Sequence, residues 1–229
     1  MKKVIIEIFI LIVIAVTSSI IIYDKFGKTE KIILSDDEIK FKKEYEELNG
    51  KKDRNGKKYV EVKVPEDNGV VYTNVNEIES ILNDGTGIIL LGTDELNYCR
   101  SIIEPLFSSK DSTDIDKVYY FDLAGIRDEK SLDGEEIIVD NEGTKDYTKL
   151  LKLLDKSLPV YDGLNDDSIK RIYMPAVIFV IDGDIIHIEI LDNEEDENKI
   201  LSSTEKNEVA KTYMKYMAQV SSGVCDEKC

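Results

Sequence analysis

The stretch 87–105, GIILLGTDELNYCRSIIEP, constrains the fold of this chain most, because a buried strand, a short polar loop and a helix follow one another directly. Residues 88–91 are all apolar, which is typical of a strand that is buried on both faces of a sheet. A helix is predicted to begin at Cys99, which places the thiol in the first helical turn. The positive end of the helix dipole favours the thiolate form of a cysteine placed there.

A second informative stretch, RIYMPAVIFVIDGDII, covers residues 171–186. Its apolar part predicts a buried strand at 176–181, and the alternating residues 184–190 predict a second strand. Asp182 and Gly183 lie between them, and Asp-Gly between two strand patterns is a strong signal for a tight hairpin. The sequence KVYYFD at 117–122 predicts one more strand, so helices and strands alternate along the chain. These patterns indicate an α/β protein.

The order of strand, loop, cysteine and helix resembles the thioredoxin superfamily. The pattern of Gly-Thr-Gly, strand, glycine, polar loop and Tyr-Cys-Arg is similar to a Firmicutes branch of membrane-tethered thioredoxin-like proteins. This resemblance implies a thioredoxin-like fold, with a central mixed sheet flanked by helices. It also implies a cis proline at the start of the strand that faces the cysteine loop. Pro175 matches that position, and a cis bond is common only before proline.

The resemblance breaks at the motif that carries the chemistry. Redox-active members have C-x-x-C in this loop, whereas the corresponding residues here are Leu96-Asn97-Tyr98-Cys99. Disulfide exchange needs one thiol that attacks and a second that resolves the mixed disulfide. Leu96 stands at the attacking position and has no such chemistry, and Cys99 corresponds to the resolving position. Two interpretations of Cys99 stay open: a small buried hydrophobe or a reactive monothiol.

The same resemblance implies a groove beside the cysteine loop. Leu96, Tyr98, Met174 and Pro175 are predicted to line it, and an extended peptide would bind there through strand-like contacts. The sequence therefore favours a binding or accessory module without dithiol activity. The alternative is a thiol-disulfide oxidoreductase that acts through Cys99, or through the cysteine pair at the end of the chain.

That pair, Cys225 and Cys229, follows a helix predicted from Ser203 or Thr204 to Ser221. In a thioredoxin-like topology this helix carries the tail away from Cys99. Outside the cytoplasm, Cys225 and Cys229 are expected to form a small local disulfide, although a redox-active pair is the alternative. Two thiolates are too few ligands for a metal site, and His187 is the only histidine of the chain. Neither a metal nor a cofactor is expected.

Residues 4–23, apolar apart from Glu7 and the weakly polar Thr17, Ser18 and Ser19, form a segment of about twenty residues, which is long enough to cross a bilayer as a helix. Lys2 and Lys3 precede it, and this flanking charge favours a cytoplasmic N-terminus. We therefore expect a single-pass signal anchor in the cell membrane, with the rest of the chain outside. A cleaved signal peptide is the competing interpretation, but the segment ends without a cleavage pattern of small residues.

The expected organisation has four parts: a signal anchor at 1–23, a charged tether at 24–67, a thioredoxin-like domain at 68–222 and a cysteine tail at 223–229. Within the tether, a short amphipathic helix is predicted after Ser35, and the alternation at 59–64 predicts a half-buried strand. The domain contains an insertion at about 123–170, which either supplies a binding surface or is only a solvated acidic loop. The net charge of −17 argues against nucleic acid as a partner.

Overall fold

The computed structural model of the protein describes residues 34–191 and 199–224. Contacts divide the chain after Ile33, and Leu34–Cys229 forms one unit. The predicted membrane helix at 4–23 lies outside the described residues, and so do Cys225 and Cys229. Within the described ranges, no helix has the length and apolar character needed to cross a membrane.

The elements of the described residues alternate between helix and strand over most of the chain. In chain order they are α1 (Asp36–Glu47), β1 (Val70–Tyr72), α2 (Val75–Asp84), β2 (Gly87–Gly92), α3 (Asn97–Ser101), α4 (Ile103–Lys110), β3 (Val118–Asp122), β4 (Glu129–Asp133), β5 (Glu136–Asn141), α5 (Lys145–Leu154), β6 (Ala176–Ile181), β7 (Asp184–Ile190) and α6 (Ser203–Ser222). A short 3-10 turn, Asp155–Ser157, follows α5.

A central five-stranded sheet has the order β1-β3-β2-β6-β7. β3 pairs in parallel with both β1 and β2, whereas β6 is antiparallel to β2 and to β7. In this register Leu90 of β2 lies opposite Tyr120 on one side and Val177 on the other. The prediction of an α/β protein with a central mixed sheet flanked by helices is therefore confirmed.

Alternate residues of β2 pack against opposite faces of the sheet, because successive side chains of a strand point in opposite directions. Ile88 and Leu90 belong to the core cluster that α1, α4 and α6 cover. Ile89 and Leu91 belong to the second cluster, under α2 and α5. All four side chains are at most 1% exposed. The uninterrupted apolar run thus reflects burial on both faces, as its composition predicts.

Within the described ranges, three helices begin with a capping box, in which a polar N-cap residue and a glutamate three positions later exchange hydrogen bonds. The N-cap residues are Ser35 for α1, Asn74 for α2 and Ser202 for α6. Each box satisfies backbone N–H groups that have no partner inside the helix. The short helix predicted after Ser35 is therefore confirmed, and its Phe41 and Tyr45 lie in the same core as the sheet.

The predicted hairpin between β6 and β7 is present. Asp182 and Gly183 both have positive φ, 50° and 87°, as a tight hairpin turn requires. A side chain at position 183 would also clash, because a Cβ there would lie 2.6 Å from the backbone oxygen of Asn83. The Met174–Pro175 peptide bond, just before β6, is cis, as the resemblance implies.

The helix after the cysteine loop is divided in two. It begins at Asn97, two residues before the predicted start, and α3 ends at Ser101 before α4 begins at Ile103. Pro105 explains the division, because it has no N–H to donate to the Ser101 carbonyl and its ring crowds that oxygen. The predicted apolar face of this helix is buried: Ile102, Ile103, Leu106 and Phe107.

The strand predicted at 59–64 is not formed. The alternation itself is present, since Val64 is buried and Val60 and Val62 are half-buried, whereas Glu61 and Lys63 are exposed. No strand lies alongside this segment in the described chain, and side chains bond the backbone of its three valines instead. The period-2 pattern correctly predicts an extended segment with one inner face, but it does not identify what bonds to its backbone.

The insertion contains a small sheet that the sequence analysis does not predict. β4 and β5 form an antiparallel pair apart from the central sheet, with a turn at Gly134. Only alternate residues of β4 and one residue of β5 are half-buried, so the apolar signal is weak. The helix predicted after this region is α5, which Thr144 caps.

Candidate functional site

The sheet register brings the predicted site residues to one edge. Leu91, near the end of β2, lies opposite Ala176, the first residue of β6. The loop 93–96, which follows β2, therefore lies at the same end of the sheet as Pro175, which precedes β6. Leu96 follows in this loop as the N-terminal flanking residue of α3, and Cys99 is the third residue of that helix.

Cys99 lies in the first turn of α3, as predicted, and its side chain is only 1% exposed. The close approach of α3 to the sheet depends on Gly92 at the end of β2. A Cβ added to Gly92 would lie 3.3 Å from the Cys99 Sγ, which is tighter than an ordinary contact. The thiol is thus packed against the strand. Cys99 is the only cysteine in the part of the chain that the structure describes.

Three buried tyrosines, Tyr45, Tyr120 and Tyr213, interact electrostatically with the Cys99 thiol. Burial raises the pKa of each phenol well above its ordinary value, so all three are neutral hydroxyls. The Tyr120 hydroxyl donates to the Gly92 carbonyl oxygen at 3.4 Å. The Tyr213 hydroxyl has no hydrogen-bond partner within the described residues. These surroundings fit a small buried side chain better than an accessible nucleophile.

The four predicted groove residues differ in exposure. Tyr98 is 3% exposed, and the Lys199 ammonium lies 5.9 Å from the centre of its ring. Pro175 is also buried, whereas Leu96 and Met174 are half-buried. Among the hydrogen bonds of the described residues, none engages the backbone of Met174. Leu96 and Met174 are therefore the parts of the predicted groove that a partner can reach.

The polar residues of α3 bind the extended segment 58–64, which we call the strap. The Asn97 side chain donates from Nδ2 to the Lys58 carbonyl at 3.0 Å and accepts from the Val60 N–H at 2.6 Å. These two bonds have the pattern that a neighbouring strand would offer. Asn97 is completely buried, so it serves the strap and not solvent.

Arg100 continues this pattern. Its Nε donates to the Val60 carbonyl at 2.8 Å, Nη1 donates to the Tyr45 carbonyl at 2.8 Å, and Nη2 donates to Asn49 Oδ1 at 2.9 Å. A further bond of 3.3 Å joins Nη1 to the Asp94 carbonyl. Burial lowers the pKa of Arg100. The guanidinium therefore holds the strap, α1 and the cysteine loop together.

The rest of the strap is bound by side chains near the end of α1. Asn49 donates to the Val62 carbonyl at 2.8 Å and accepts from the Val62 N–H at 2.9 Å. Glu46 accepts from the Val64 N–H at 2.9 Å, and Lys42 donates to the Val64 carbonyl at 2.7 Å. Each inward valine is thus bonded through both backbone groups. Side chains here replace a partner strand.

Carboxylates gather beside the cysteine loop. Burial, together with Asp122, Glu44 and Glu95, raises the pKa of Asp94 to about 6. Burial also raises the pKa of Asp122, at the end of β3. Within the described ranges, no three histidine, cysteine or acidic side chains are arranged to hold a metal ion.

Sequence reasoning did not assign the roles of Asn97 and Arg100, because the partners they bind lie about forty positions away. The available signal was two strongly polar residues, three positions apart, in a helix whose surroundings are apolar. No family model matches the chain, and no curated protein matches it.

Proposed function

We propose that this chain is a membrane-anchored thioredoxin-like protein that lacks dithiol redox activity and serves as a binding module outside the cytoplasm. One observation carries the proposal. The residue three positions before Cys99, where the resemblance places the attacking thiol, is Leu96, and Cys99 itself is 1% exposed.

The order and pairing of the elements support the thioredoxin-like part. The cysteine helix follows the central strand β2, and β3 pairs with β2 in parallel. β6 follows Pro175 and runs antiparallel to β2, and β7 returns beside it through the Asp182-Gly183 turn. A long helix ends the described chain. The resemblance implies the same succession.

The surroundings of Cys99 argue against thiol exchange. An attacking thiol must be exposed and must be largely thiolate. Cys99 is packed against Gly92 and neutral tyrosines, and its neighbours Asn97 and Arg100 are bonded to the strap. A disulfide substrate would have to displace these contacts before it reached the sulfur.

The edge beside Met174 supports a binding role. Extended peptides bind to proteins by hydrogen bonds to unpaired main-chain groups, and side-chain pockets add specificity. Met174 offers an N–H and a carbonyl that no hydrogen bond of the described residues uses, and the half-buried Leu96 side chain flanks the cysteine loop at this edge. The anchor predicted at 4–23 would hold this surface at the outer face of the membrane.

A thiol-mapping experiment tests the absence of redox activity. The chain from residue 29 to residue 229 is alkylated in buffer and in urea, then mapped by mass spectrometry, with a disulfide reductase assay alongside. We expect Cys99 to react only in urea, and no turnover. The Leu96→Cys variant is the positive control, since it restores C-x-x-C, and its new thiol should react rapidly.

Turnover in the parent protein would overturn the proposal, and two variants assign its source. Loss of turnover in Cys99→Ser would identify a monothiol enzyme. Loss in the double variant Cys225→Ser, Cys229→Ser would identify a redox-active tail.

A peptide-display selection tests the binding role. Peptides from a random library that are enriched on the parent protein should be lost on the variant Met174→Asp. The matched control is Val139→Asp on β5, a residue that is 49% exposed and distant in sequence from the groove residues. Equal enrichment on both variants would place binding elsewhere. Proteolysis of intact cells tests the location, since the domain should be cleaved without lysis.

A further inference from the structure

The insertion forms an open surface cavity of about 410 Å³ that is separate in sequence from the cysteine loop. Its volume lies within the range of small-molecule sites, which is about 300–1,000 Å³. Seven residues line it, and they come from β4, α5 and the loop that leads to β6: Lys130, Thr148, Leu151, Lys152, Asp155, Ile169 and Lys170.

α5 forms one wall of the cavity. One face of this helix packs in the core, and a second face lines the cavity. Tyr147, Leu150 and Leu154 are buried in the core under the sheet. Thr148, Leu151, Lys152 and Asp155 follow the spacing of three and four that places residues on a single helical face, and that face lines the cavity. The core contacts therefore fix the orientation of the cavity wall.

The opposite walls are joined to each other through Tyr161. Its hydroxyl accepts from the Lys130 N–H at 3.0 Å and donates to the Lys130 carbonyl at 3.2 Å, which attaches β4. Its own N–H donates to the Ile169 carbonyl at 2.7 Å, which attaches the loop. A backbone bridge between Val160 and Lys170 closes this loop. Hydrogen bonds thus fix β4 and the loop before β6, and core contacts fix α5.

The charge of the lining is opposite to that of the protein. The chain carries a net charge of −17, yet three lysines and one carboxylate line the cavity. Lys130 pairs with Asp128, but in the described residues Lys152 and Lys170 form no ion pair. Leu151 and Ile169 add an apolar surface to the same lining. Such a lining fits a ligand with an anionic group and an apolar body.

We propose that this cavity binds a small amphiphilic anion, a carboxylate on a short aliphatic stem. The ammonium groups of Lys152 and Lys170 would hold the carboxylate, and Leu151 and Ile169 would contact the stem. Each ammonium is a compact point charge with three rotatable donors, so both can turn toward the same carboxylate. This binding site gives the insertion a role of its own, which does not depend on the function proposed for the site beside the cysteine loop.

Octanoate is the probe, and its binding to the chain 29–229 is measured by calorimetry and by NMR shift mapping. This chain includes the whole unit Leu34–Cys229 and both core clusters. We expect saturable binding, with the largest shifts at residues 148–155 and 169–170. Acetate lacks the stem and octanol lacks the charge, so each should bind about tenfold more weakly or worse.

The double variant Lys152→Gln, Lys170→Gln should bind octanoate at least about tenfold more weakly, while its thermal unfolding stays unchanged. Lys145→Gln, at the exposed start of α5, removes one charge from the same helix outside the cavity and should bind as the parent does. Leu151→Ser should weaken octanoate binding and leave acetate unaffected. Equal affinity in the double variant and the parent, shifts confined to another surface, or an absence of saturable binding would each overturn the proposal.

Discussion

The Arg100 Nε donates a hydrogen bond of 2.8 Å to the carbonyl oxygen of Val60, which lies forty positions earlier in the chain. Arg100 is 1% exposed, and its guanidinium donates to three backbone carbonyls and one side-chain amide oxygen. The buried charge is thus hydrogen-bonded to oriented dipoles, and the nearby Asp94 adds a favourable electrostatic contribution. Such a group is costly to alter, because each lost bond leaves a buried polar atom without a partner.

The variant Arg100→Lys should destabilise the protein by about 2–4 kcal/mol. A lysine keeps the charge, but its single ammonium cannot reach acceptors that a planar guanidinium reaches in several directions. Urea unfolding of the chain 29–229 measures the change. Arg54→Lys, at an exposed turn, is the control and should stay within about 0.5 kcal/mol. Equal effects at the two positions would contradict the role assigned to Arg100.

A double-mutant cycle tests the contact between Gly92 and Cys99. Gly92→Ala should cost about 1–3 kcal/mol, because its Cβ would lie 3.3 Å from the Cys99 Sγ. Cys99→Ala removes that sulfur, so the double variant should be more stable than the sum of the single changes by at least about 0.5 kcal/mol. Gly143→Ala, whose Cβ would meet Tyr147 at 2.7 Å, should instead be additive with Cys99→Ala.

The raised pKa of Asp94 predicts a particular pH dependence of stability. The pKa is about 6 in the folded protein against an ordinary value of 3.8, so the folded state binds this proton more tightly. The stability that the protonated Asp94 contributes is therefore lost as the pH rises from 3.8 to about 6. Because Asp94 is partly exposed, the solvent-screened effect should be on the order of 1 kcal/mol.

The variant Asp94→Asn should remove this loss. Its unfolding free energy relative to the parent should increase between about pH 4 and pH 6 and level off above. Asp133→Asn, at an exposed position of the β4–β5 turn, measures the effect of removing one charge from an acidic chain. A difference between Asp94→Asn and the parent that is flat over this window would show that Asp94 ionises normally.

Two tyrosine variants should change stability in opposite directions. Tyr213→Phe removes a buried hydroxyl that has no partner in the described chain, so it should stabilise the protein by about 1 kcal/mol. Tyr161→Phe removes hydrogen bonds to both backbone groups of Lys130, so it should cost about 1–2 kcal/mol. Thermal unfolding compares the two variants directly. A stabilising Tyr161→Phe would show that its hydrogen bonds to Lys130 do not stabilise the insertion.

The strands of the central sheet could be predicted where burial alone determines the composition of a single segment. β2 and β6 are apolar runs because both of their faces are covered. The Asp182-Gly183 turn was predictable because its positive φ angles restrict which residues fit. Capping residues likewise predict the starts of α1 and α5. Each of these signals is local.

The features that the sequence did not predict depend on distant partners. The alternation at 59–64 is that of a strand, but the partner is a set of side chains from Glu46, Asn49, Asn97 and Arg100. The β4–β5 hairpin was missed because most of its residues are exposed, so few apolar positions mark it. A buried Cys99 was one of two open interpretations, and the contact that distinguishes them, the approach of α3 to Gly92, leaves no pattern within α3.

The strap is bound through its main chain at Val60, Val62 and Val64, and this has a consequence for how its sequence can change. Main-chain groups are common to nearly all residues, so substitutions at the exposed Glu61 and Lys63 should be almost neutral. The restriction falls on the side chains that reach the strap, above all Asn97 and Arg100, because few other residues offer the same donors and acceptors. Among related chains, we expect the strap to vary at its outward positions while these two residues stay fixed.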